Sequence, residues 1–230
     1  ESGYDMTYAR KWHVSGVENP ADRGWDELMI TARADPHPDN RCEGIVEAVS
    51  KEPDDQARVP GMIWRPGWQH RKVYGSVPDG GSKGYENVGD YKMSQTAIEH
   101  LPHMASKRDE TGDPWMLYVG PTGPHDPSII PEKWANMYDP DDIELPESFW
   151  DTLQDKPTVY QRMRHMYWGQ MNEREVRESI AHYWGYCSME DAIFGEVLDT
   201  LEATGQLDDT IVMYTSDLGY YPSANCAEVG

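Results

Sequence analysis

The stretch YDMTYARKWHV, residues 4–14, mixes aromatic and β-branched residues and predicts a β-strand near the beginning of the chain. In an extended strand alternate side chains share a face, so we expect Lys11 and His13 on one side and Trp12 on the other. The pattern therefore brings a cation and an imidazole next to each other at the end of the predicted strand.

The composition makes this cation unusual. The 230 residues include 41 acidic and 20 basic side chains, which gives a formal net charge of −21 at pH 7. Because such a chain repels phosphate backbones and anionic lipid surfaces, we expect neither nucleic acid nor a membrane as a partner. A cation inside this negative field needs a local reason, and for Lys11 the binding of an anion is one.

Length and cysteine content set further bounds. A chain of 230 residues can bury one sizeable core, so we predict a single α/β domain over residues 1–230. The cysteines Cys42, Cys187 and Cys226 form no C-x-x-C pair and indicate neither a disulfide framework nor a zinc site. No apolar run is long enough to span a bilayer and the first residues carry no signal-peptide pattern, which leaves the compartment open.

A helix and a strand are predicted in the middle of the chain. Apolar positions recur at helical spacing over residues 97–105, with Ser94 as the predicted N-cap and an end near residues 109–113. WMLYVG, residues 115–120, is a continuous apolar run that predicts a strand buried on both faces. His125 follows this strand, in the loop PTGPHDP.

The order of helix, strand and polar residue is repeated near the end. Apolar spacing predicts a long amphipathic helix from Glu173 to Gly205, and TIVMYTSD predicts another buried strand that ends at Asp217. The repetition favours a mostly parallel α/β sheet, in which the site lies beyond the carboxyl ends of the strands. Residues 31–92, rich in Pro, Gly, Asp and Asn, are predicted to form a long excursion with a hairpin at residues 62–75.

Several of these segments resemble sulfatases of the alkaline-phosphatase superfamily. The matching segments are GYDMTYARKWHVSG, residues 3–16; PWMLYVGPTGPHDP, residues 114–127; EKWANMYDPDDIELP, residues 132–146; and GYCSMEDAIFGEVLDTLEATGQLDDTIVMYTSDLG, residues 185–219. The resemblance implies a mostly parallel sheet sandwiched by helices, incomplete at both ends in this chain. Residues 31–92 are only weakly covered by it.

The resemblance also implies a mechanism. In that family a formylglycine, made from Cys or Ser in a C/S-x-P-x-R motif, attacks sulfur beside a divalent cation. By matching position, Lys11 would bridge the sulfate and the formylglycine hydroxyl, and His13 would act on that hydroxyl when sulfate leaves. His125 would bind sulfate or protonate the leaving oxygen. Asp217 would be a metal ligand for Ca²⁺, with Mg²⁺ or Mn²⁺ as alternatives.

The chain departs from the family pattern in several places. No cysteine or serine lies in a C/S-x-P-x-R motif, so the formylglycine is expected in a longer parent protein and not in this chain. Arg10 stands where the family usually has glycine before Lys-Trp-His. Leu218 stands where the family usually has His or Asn, and a leucine cannot ligate a metal.

These observations support competing functions. The first is a hydrolase acting on a small-molecule or carbohydrate sulfate ester, which the Lys-Trp-His segment favours. The second is a phosphonate or phosphate ester hydrolase of the same superfamily. The third is a truncated, non-catalytic sulfatase-like protein, which the missing nucleophile motif and Leu218 favour. The identity of the substrate and the oligomeric state stay open.

Overall fold

The computed structural model describes residues 3–12, 14, 15, 17–31, 58–65 and 69–216. The described residues fall into two compact units. The first unit lies within Glu1–Pro38, Gly80–Gly123 and Met189–Met213, and the second lies within Asp39–Asp79, Pro124–Ser188 and Tyr214–Gly230. Within the part of the chain that the structure describes, no helix combines the length and apolar composition that crossing a bilayer requires.

A parallel sheet organises the first unit. Its strands are β1 (Asp5–Lys11), β2 (Asp26–Thr31) and β6 (Trp115–Gly120), in the order β2-β1-β6. Both pairings are parallel, and β1 lies in the middle, where Tyr8 and Ala9 are buried. The prediction of an α/β fold with a mostly parallel sheet is confirmed, and the strand predicted within residues 4–14 forms over Asp5–Lys11.

Helix α1 (Gly89–Thr111) belongs to the same unit as this sheet. Its buried side chains recur at the predicted spacing and include Met93, Ala97, Leu101 and Met104. The helix ends at Gly112, whose φ of 77° is left-handed and whose N–H donates to the Arg108 carbonyl. The predicted start was wrong, because Ser94 lies inside the helix, where it is buried and its hydroxyl donates to the Tyr91 carbonyl at 2.7 Å.

Strand β6 forms where WMLYVG predicted it, but the prediction that both faces are buried was wrong. Met116 and Tyr118 are each 38% exposed and alternate with more buried neighbours. β6 is an edge strand among the described residues, and the face that carries Met116 and Tyr118 keeps contact with solvent.

Two short sheets lie in the second unit. β3 (Met62–Arg65) and β4 (Gln69–Lys72) pair antiparallel, which confirms the predicted hairpin. β5 (Tyr74–Val77) pairs in parallel with β7 (Ser128–Pro131), a pairing that local sequence did not predict because the partner is distant in the chain. The helices α2 (Glu132–Ala135) and α3 (Thr158–Met166) follow β7.

The core of the second unit gathers residues from the hairpin, the following loops and a long helix. That helix, α4 (Glu173–Ala203), confirms the predicted amphipathic segment. The buried core residues are Ile63, Val73, Tyr74, Ile143, Phe149, Met171, Val176, Ile180 and Ala181. Residues of α4 up to Ser188 belong to the second unit, and those from Met189 belong to the first.

The strand predicted from TIVMYTSD does not form in the described residues. Residues 211–216 carry no strand assignment, and Ile211, Met213 and Tyr214 are 88%, 77% and 83% exposed. A run of β-branched and aromatic residues becomes a strand only when another strand satisfies its backbone groups, and no described strand does so here. Asp217, at the predicted end of this strand, lies outside the described residues.

Candidate active site

Lys11 lies at the carboxyl edge of the parallel sheet, as the strand pattern predicted. It is the last residue of β1 and is paired with Thr31 of β2, while the preceding Arg10 is paired with Gly120, the last residue of β6. The Tyr8 hydroxyl donates to the Lys11 carbonyl at 2.7 Å and so fixes the backbone where the chain leaves the strand. The Lys11 side chain is half-buried.

The strand is irregular one residue before Lys11. Arg10 has a φ of 81°, in the left-handed region that favours glycine, and the pairing with β2 shifts register between Ala9 and Lys11. This geometry explains why glycine suits the position in the pattern of the resemblance. His13 lies outside the described residues, so the shared face of Lys11 and His13 stays a prediction.

An ion pair accompanies this irregularity. Arg10 Nε lies 2.8 Å from Asp90 Oδ1, and the Asp90 side chain is only 3% exposed. Asp90 belongs to the first turn of α1, and a Cβ at the preceding Gly89 would overlap the Arg10 guanidinium. Glycine at this position therefore lets the arginine reach its partner.

The Asp90 carboxylate also binds the loop that follows β6. Oδ1 accepts a hydrogen bond from the Thr122 backbone N–H at 2.8 Å, and Oδ2 accepts one from the Gly123 N–H at 3.0 Å. One carboxylate thus joins the end of β1, beside Lys11, to the loop at the end of β6. These charge-assisted bonds fix the carboxyl edge of the sheet.

A second acid is buried beside Asp90. Glu190 on α4 is 3% exposed, and neither of its carboxyl oxygens has a partner in hydrogen-bonding geometry among the described residues. Burial, together with the negative charge of Asp90, raises the pKa of Glu190 to about 9. Glu190 is therefore a neutral carboxylic acid at pH 7, next to the carboxylate that Arg10 neutralises.

Sequence reasoning did not single out Asp90 or Glu190. A signal for Glu190 existed: it lies three residues after Cys187 and four before Phe194, so helical spacing places an acid on the apolar face of the helix. For Asp90 the signal was weaker, because only the fold shows that Arg10 needs a partner.

His125 occupies a separate cluster in the second unit. Its Nδ1 lies 2.7 Å from the Asp126 carbonyl oxygen and 3.3 Å from Asp126 Oδ1, and its side chain is 55% exposed. Arg71 of β4 contacts the same aspartate, with Nη2 2.9 Å from Asp126 Oδ2. Arg71 lies in the excursion that sequence reasoning left without a role, although the run His70-Arg71-Lys72 is a basic cluster in an acidic chain.

The predicted site residues thus have different outcomes. The structure describes Lys11 in the first unit and His125 in the second, and their convergence on one cleft stays a prediction. His13, Asp217 and Leu218 lie outside the described residues. Within the described ranges, no group of three or more His, Cys, Asp and Glu side chains fits a metal ion, so the metal site also stays a prediction.

Comparison with known proteins agrees with this architecture. The family model described as Sulfatase matches residues 1–226. The chain is 31% identical over 158 residues to choline-sulfatase from Rhizobium meliloti (strain 1021), in an alignment that covers 66% of this chain and 30% of that protein. It is 30% identical over 146 residues to arylsulfatase K from Bos taurus, covering 56% of this chain and 26% of that protein.

A solved structure has the same fold. The phosphonate monoester hydrolase SpPMH from Silicibacter pomeroyi aligns over 90% of this chain and 43% of its own, with a TM-score of 0.55 and 18% sequence identity. At this identity the likeness shows the fold alone. The chain spans about 30% of the length of the choline-sulfatase and 26% of that of the arylsulfatase K.

Two substitutions of Arg10 are expected to separate the contribution of its ion pair to the free energy of unfolding from that of its strained backbone. Arg10→Ala leaves the buried Asp90 carboxylate without its cation and should lower the free energy of unfolding by about 3 kcal/mol. Arg10→Gly loses the same pair but relieves the left-handed backbone, so its loss should be smaller by about 1 kcal/mol. Urea denaturation measures both values.

Arg23→Ala is the matched control, because Arg23 pairs with Glu18 on the surface. This substitution should lower the free energy of unfolding by less than about 1 kcal/mol. Equal stabilities of Arg10→Ala and Arg10→Gly would contradict the strain at Arg10, and equal stabilities of Arg10→Ala and Arg23→Ala would contradict the buried pair.

Glu190 is expected to make the protein less stable as the pH rises. Its pKa is 4.5 when the chain is unfolded and about 9 in the folded protein, so between these values the folded state holds the extra proton. The free energy of unfolding should therefore fall with pH across this window, by at most about 1.4 kcal/mol per pH unit. Glu190→Gln stays neutral and should show a flatter profile from about pH 5.5 to about pH 8.5.

Glu202→Gln, at an exposed position of the same helix, is the control and should follow the wild-type profile. Parallel stability profiles for wild type and Glu190→Gln would show that Glu190 is not a buried neutral acid.

Proposed function

The chain belongs to the sulfatase family, and on that basis we propose that the protein hydrolyses sulfate esters of small molecules or carbohydrates. One observation carries the proposal. Lys11, the cation of the Lys-Trp-His segment, ends the central strand of a parallel sheet at its carboxyl edge. Sites of open α/β sheets lie at that edge.

The electrostatics of the chain support an anionic ester as the substrate. With a net charge of −21, the protein repels anions in general, so binding one requires cations fixed in place. The neutral pair of Arg10 and Asp90 fixes the backbone beside Lys11 without adding net charge. The Lys11 ammonium is then suited to stabilise the nonbridging oxygens of a sulfate group.

The histidines would supply proton transfer. By matching position, His13 acts on the nucleophile hydroxyl and His125 protonates the leaving oxygen. The family's formylglycine motif has no counterpart in residues 1–230, so the proposal assigns binding and proton transfer to named residues of this chain and names none of them as the nucleophile.

The names of the relatives bear on the substrate. The names choline-sulfatase and arylsulfatase K both refer to sulfate esters, which supports a sulfate ester over a phosphonate as the substrate. A non-catalytic protein that binds an oxyanion is the second candidate, because no C/S-x-P-x-R motif occurs in the 230 residues.

An assay with paired esters tests the proposal. The chain is incubated with 4-nitrophenyl sulfate, 4-nitrophenyl phosphate and a 4-nitrophenyl phosphonate, with and without Ca²⁺. We expect hydrolysis of the sulfate, and a fall of about 100-fold in Lys11→Ala, because an oxyanion then loses one fixed donor. Lys107→Ala, at an exposed lysine paired with Asp5, should keep wild-type activity.

The other outcomes separate the alternatives. Preferred cleavage of the phosphate or phosphonate would favour the related hydrolases of the superfamily. No cleavage of any ester, together with sulfate binding in calorimetry that Lys11→Ala abolishes, would favour the non-catalytic protein.

We also propose that Asp217 ligates a divalent cation, with Ca²⁺ as the first candidate and Mg²⁺ or Mn²⁺ as alternatives. A carboxylate oxygen is the hard donor that these ions prefer. Calorimetric titration with Ca²⁺ should show binding that Asp217→Asn weakens at least about tenfold, as loss of a charged ligand does. Asp208→Asn, at an exposed acid in the turn at Leu207–Asp209, should leave it unchanged. Equal affinities in both variants would remove Asp217 from the metal site.

A further inference from the structure

The imidazole of His125 is held in one orientation by the residue that follows it. Its Nδ1 lies 2.7 Å from the carbonyl oxygen of Asp126, and a carbonyl oxygen can only accept a hydrogen bond. Nδ1 must therefore carry the proton in that contact. In the neutral ring this leaves Nε2 as the unprotonated nitrogen, on a side chain that is 55% exposed.

Arg71 in turn holds Asp126 through two of its acceptors. Nη2 lies 2.9 Å from the carboxylate oxygen Oδ2 and also donates to the Asp126 carbonyl at 3.2 Å. The same carbonyl thus accepts from both the arginine and the imidazole, one for each lone pair. The Arg71 and Asp126 side chains are only 20% and 17% exposed, so solvent screens this pair less than a surface one.

Backbone hydrogen bonds brace the same contact. The Ser128 N–H donates to the Val73 carbonyl at 2.8 Å, two residues beyond Asp126 on one side and two beyond Arg71 on the other. The Val73 N–H donates to the Gly61 carbonyl at 2.8 Å, which ties this segment to the hairpin. Arg71 and Asp126 are therefore a side-chain link between two segments that the backbone already holds side by side.

We propose that Arg71 is a positioning residue for His125: acting through Asp126, it fixes the imidazole in the Nδ1–H tautomer and directs Nε2 at the leaving-group oxygen of the ester. This inference rests on the proposed function, in which His125 is the proton donor.

The step is balanced in atoms and charge. As the S–O bond to the leaving group breaks, its electron pair passes to the leaving oxygen, and the Nε2 proton of the charged ring moves to that oxygen. The sulfur gains a bond to the oxygen of the nucleophile, which is water in the overall hydrolysis, and the proton that this water releases reprotonates Nε2 for the next turnover. The Nδ1 proton stays on the ring and is donated to the Asp126 carbonyl throughout, so the ring returns to the same neutral tautomer and needs no rotation between turnovers.

The tautomer of His125 is a direct test that requires no turnover. In a ¹⁵N-labelled 230-residue chain, long-range ¹H–¹⁵N spectra report which ring nitrogen is protonated, and His125→Gln identifies the signals. We expect a protonated Nδ1 in wild type and a mixture of exchanging tautomers in Arg71→Ala. Asp126→Asn, which removes the carboxylate and keeps the carbonyl, should shift the same signals in the same direction.

Two further variants distinguish a specific effect on His125 from a general loss of structure. Arg71→Lys keeps the charge but lacks the planar guanidinium whose Nη2 contacts both the carboxylate and the carbonyl, so it should fall between wild type and Arg71→Ala. Arg174→Ala, which breaks the contacts of an arginine with Asp141 and Glu178 in the same unit, should leave the His125 signals unchanged. Unchanged His125 signals in folded Arg71→Ala or Arg71→Lys overturn the proposal.

The leaving group provides the functional test. Phenyl sulfate has a poor leaving group that needs a proton, and 4-nitrophenyl sulfate has a good one that does not. Arg71→Ala should lower kcat for phenyl sulfate by about tenfold or more, with KM and the rate on 4-nitrophenyl sulfate little changed. An equal fall on both esters would mean a structural role and overturn the proposal. If wild type cleaves neither ester, the proposed function fails and the tautomer measurement alone decides the role of Arg71.

Discussion

The carboxylate of Asp90 is the interaction on which the carboxyl edge of the sheet depends. It is buried, it neutralises Arg10 at the end of β1, and it accepts hydrogen bonds from the Thr122 and Gly123 backbone beyond β6. A buried carboxylate is costly unless its charge and lone pairs are satisfied, and here each oxygen accepts a backbone hydrogen bond while the arginine supplies the charge. The ends of two strands are thereby fixed by one side chain, and Lys11 follows directly from one of them.

A second buried acid, Glu190, lies next to the Asp90 carboxylate. Two ionised carboxylates in one buried space would repel each other, and a single arginine cannot neutralise both. Glu190 avoids this conflict by remaining protonated, which burial and the charge of Asp90 both favour. The network therefore carries no net charge at neutral pH, although it is made of two acids and one base.

The elements that sequence reasoning predicted correctly are those with a local signal. The mix of aromatic and β-branched residues at the start of the chain, the turn residues of the hairpin and the helical spacing of apolar residues in α1 and α4 all act within a few residues. The failures depend on contacts distant in the chain. TIVMYTSD has every preference of a strand and no partner among the described strands. The start of α1 at Gly89 places Asp90 in its first turn, where Arg10 and the loop after β6 contact it. For the same reason Lys11 and His125 were found by motif, whereas Asp90, Glu190 and Arg71 required the fold.

Both candidate site residues that the structure describes have the same neighbourhood. Lys11 follows Arg10, which pairs with Asp90, and His125 precedes Asp126, which pairs with Arg71. In each case an arginine and an aspartate form a charge-neutral pair that also binds a loop backbone, through Thr122 and Gly123 in one unit and through the Asp126 carbonyl in the other. A neutral pair can fix the backbone beside a candidate residue without cancelling the charge or taking up the proton that the residue would use. In a chain with about twice as many acids as bases, such pairing also keeps the neighbouring carboxylates from repelling a bound anion.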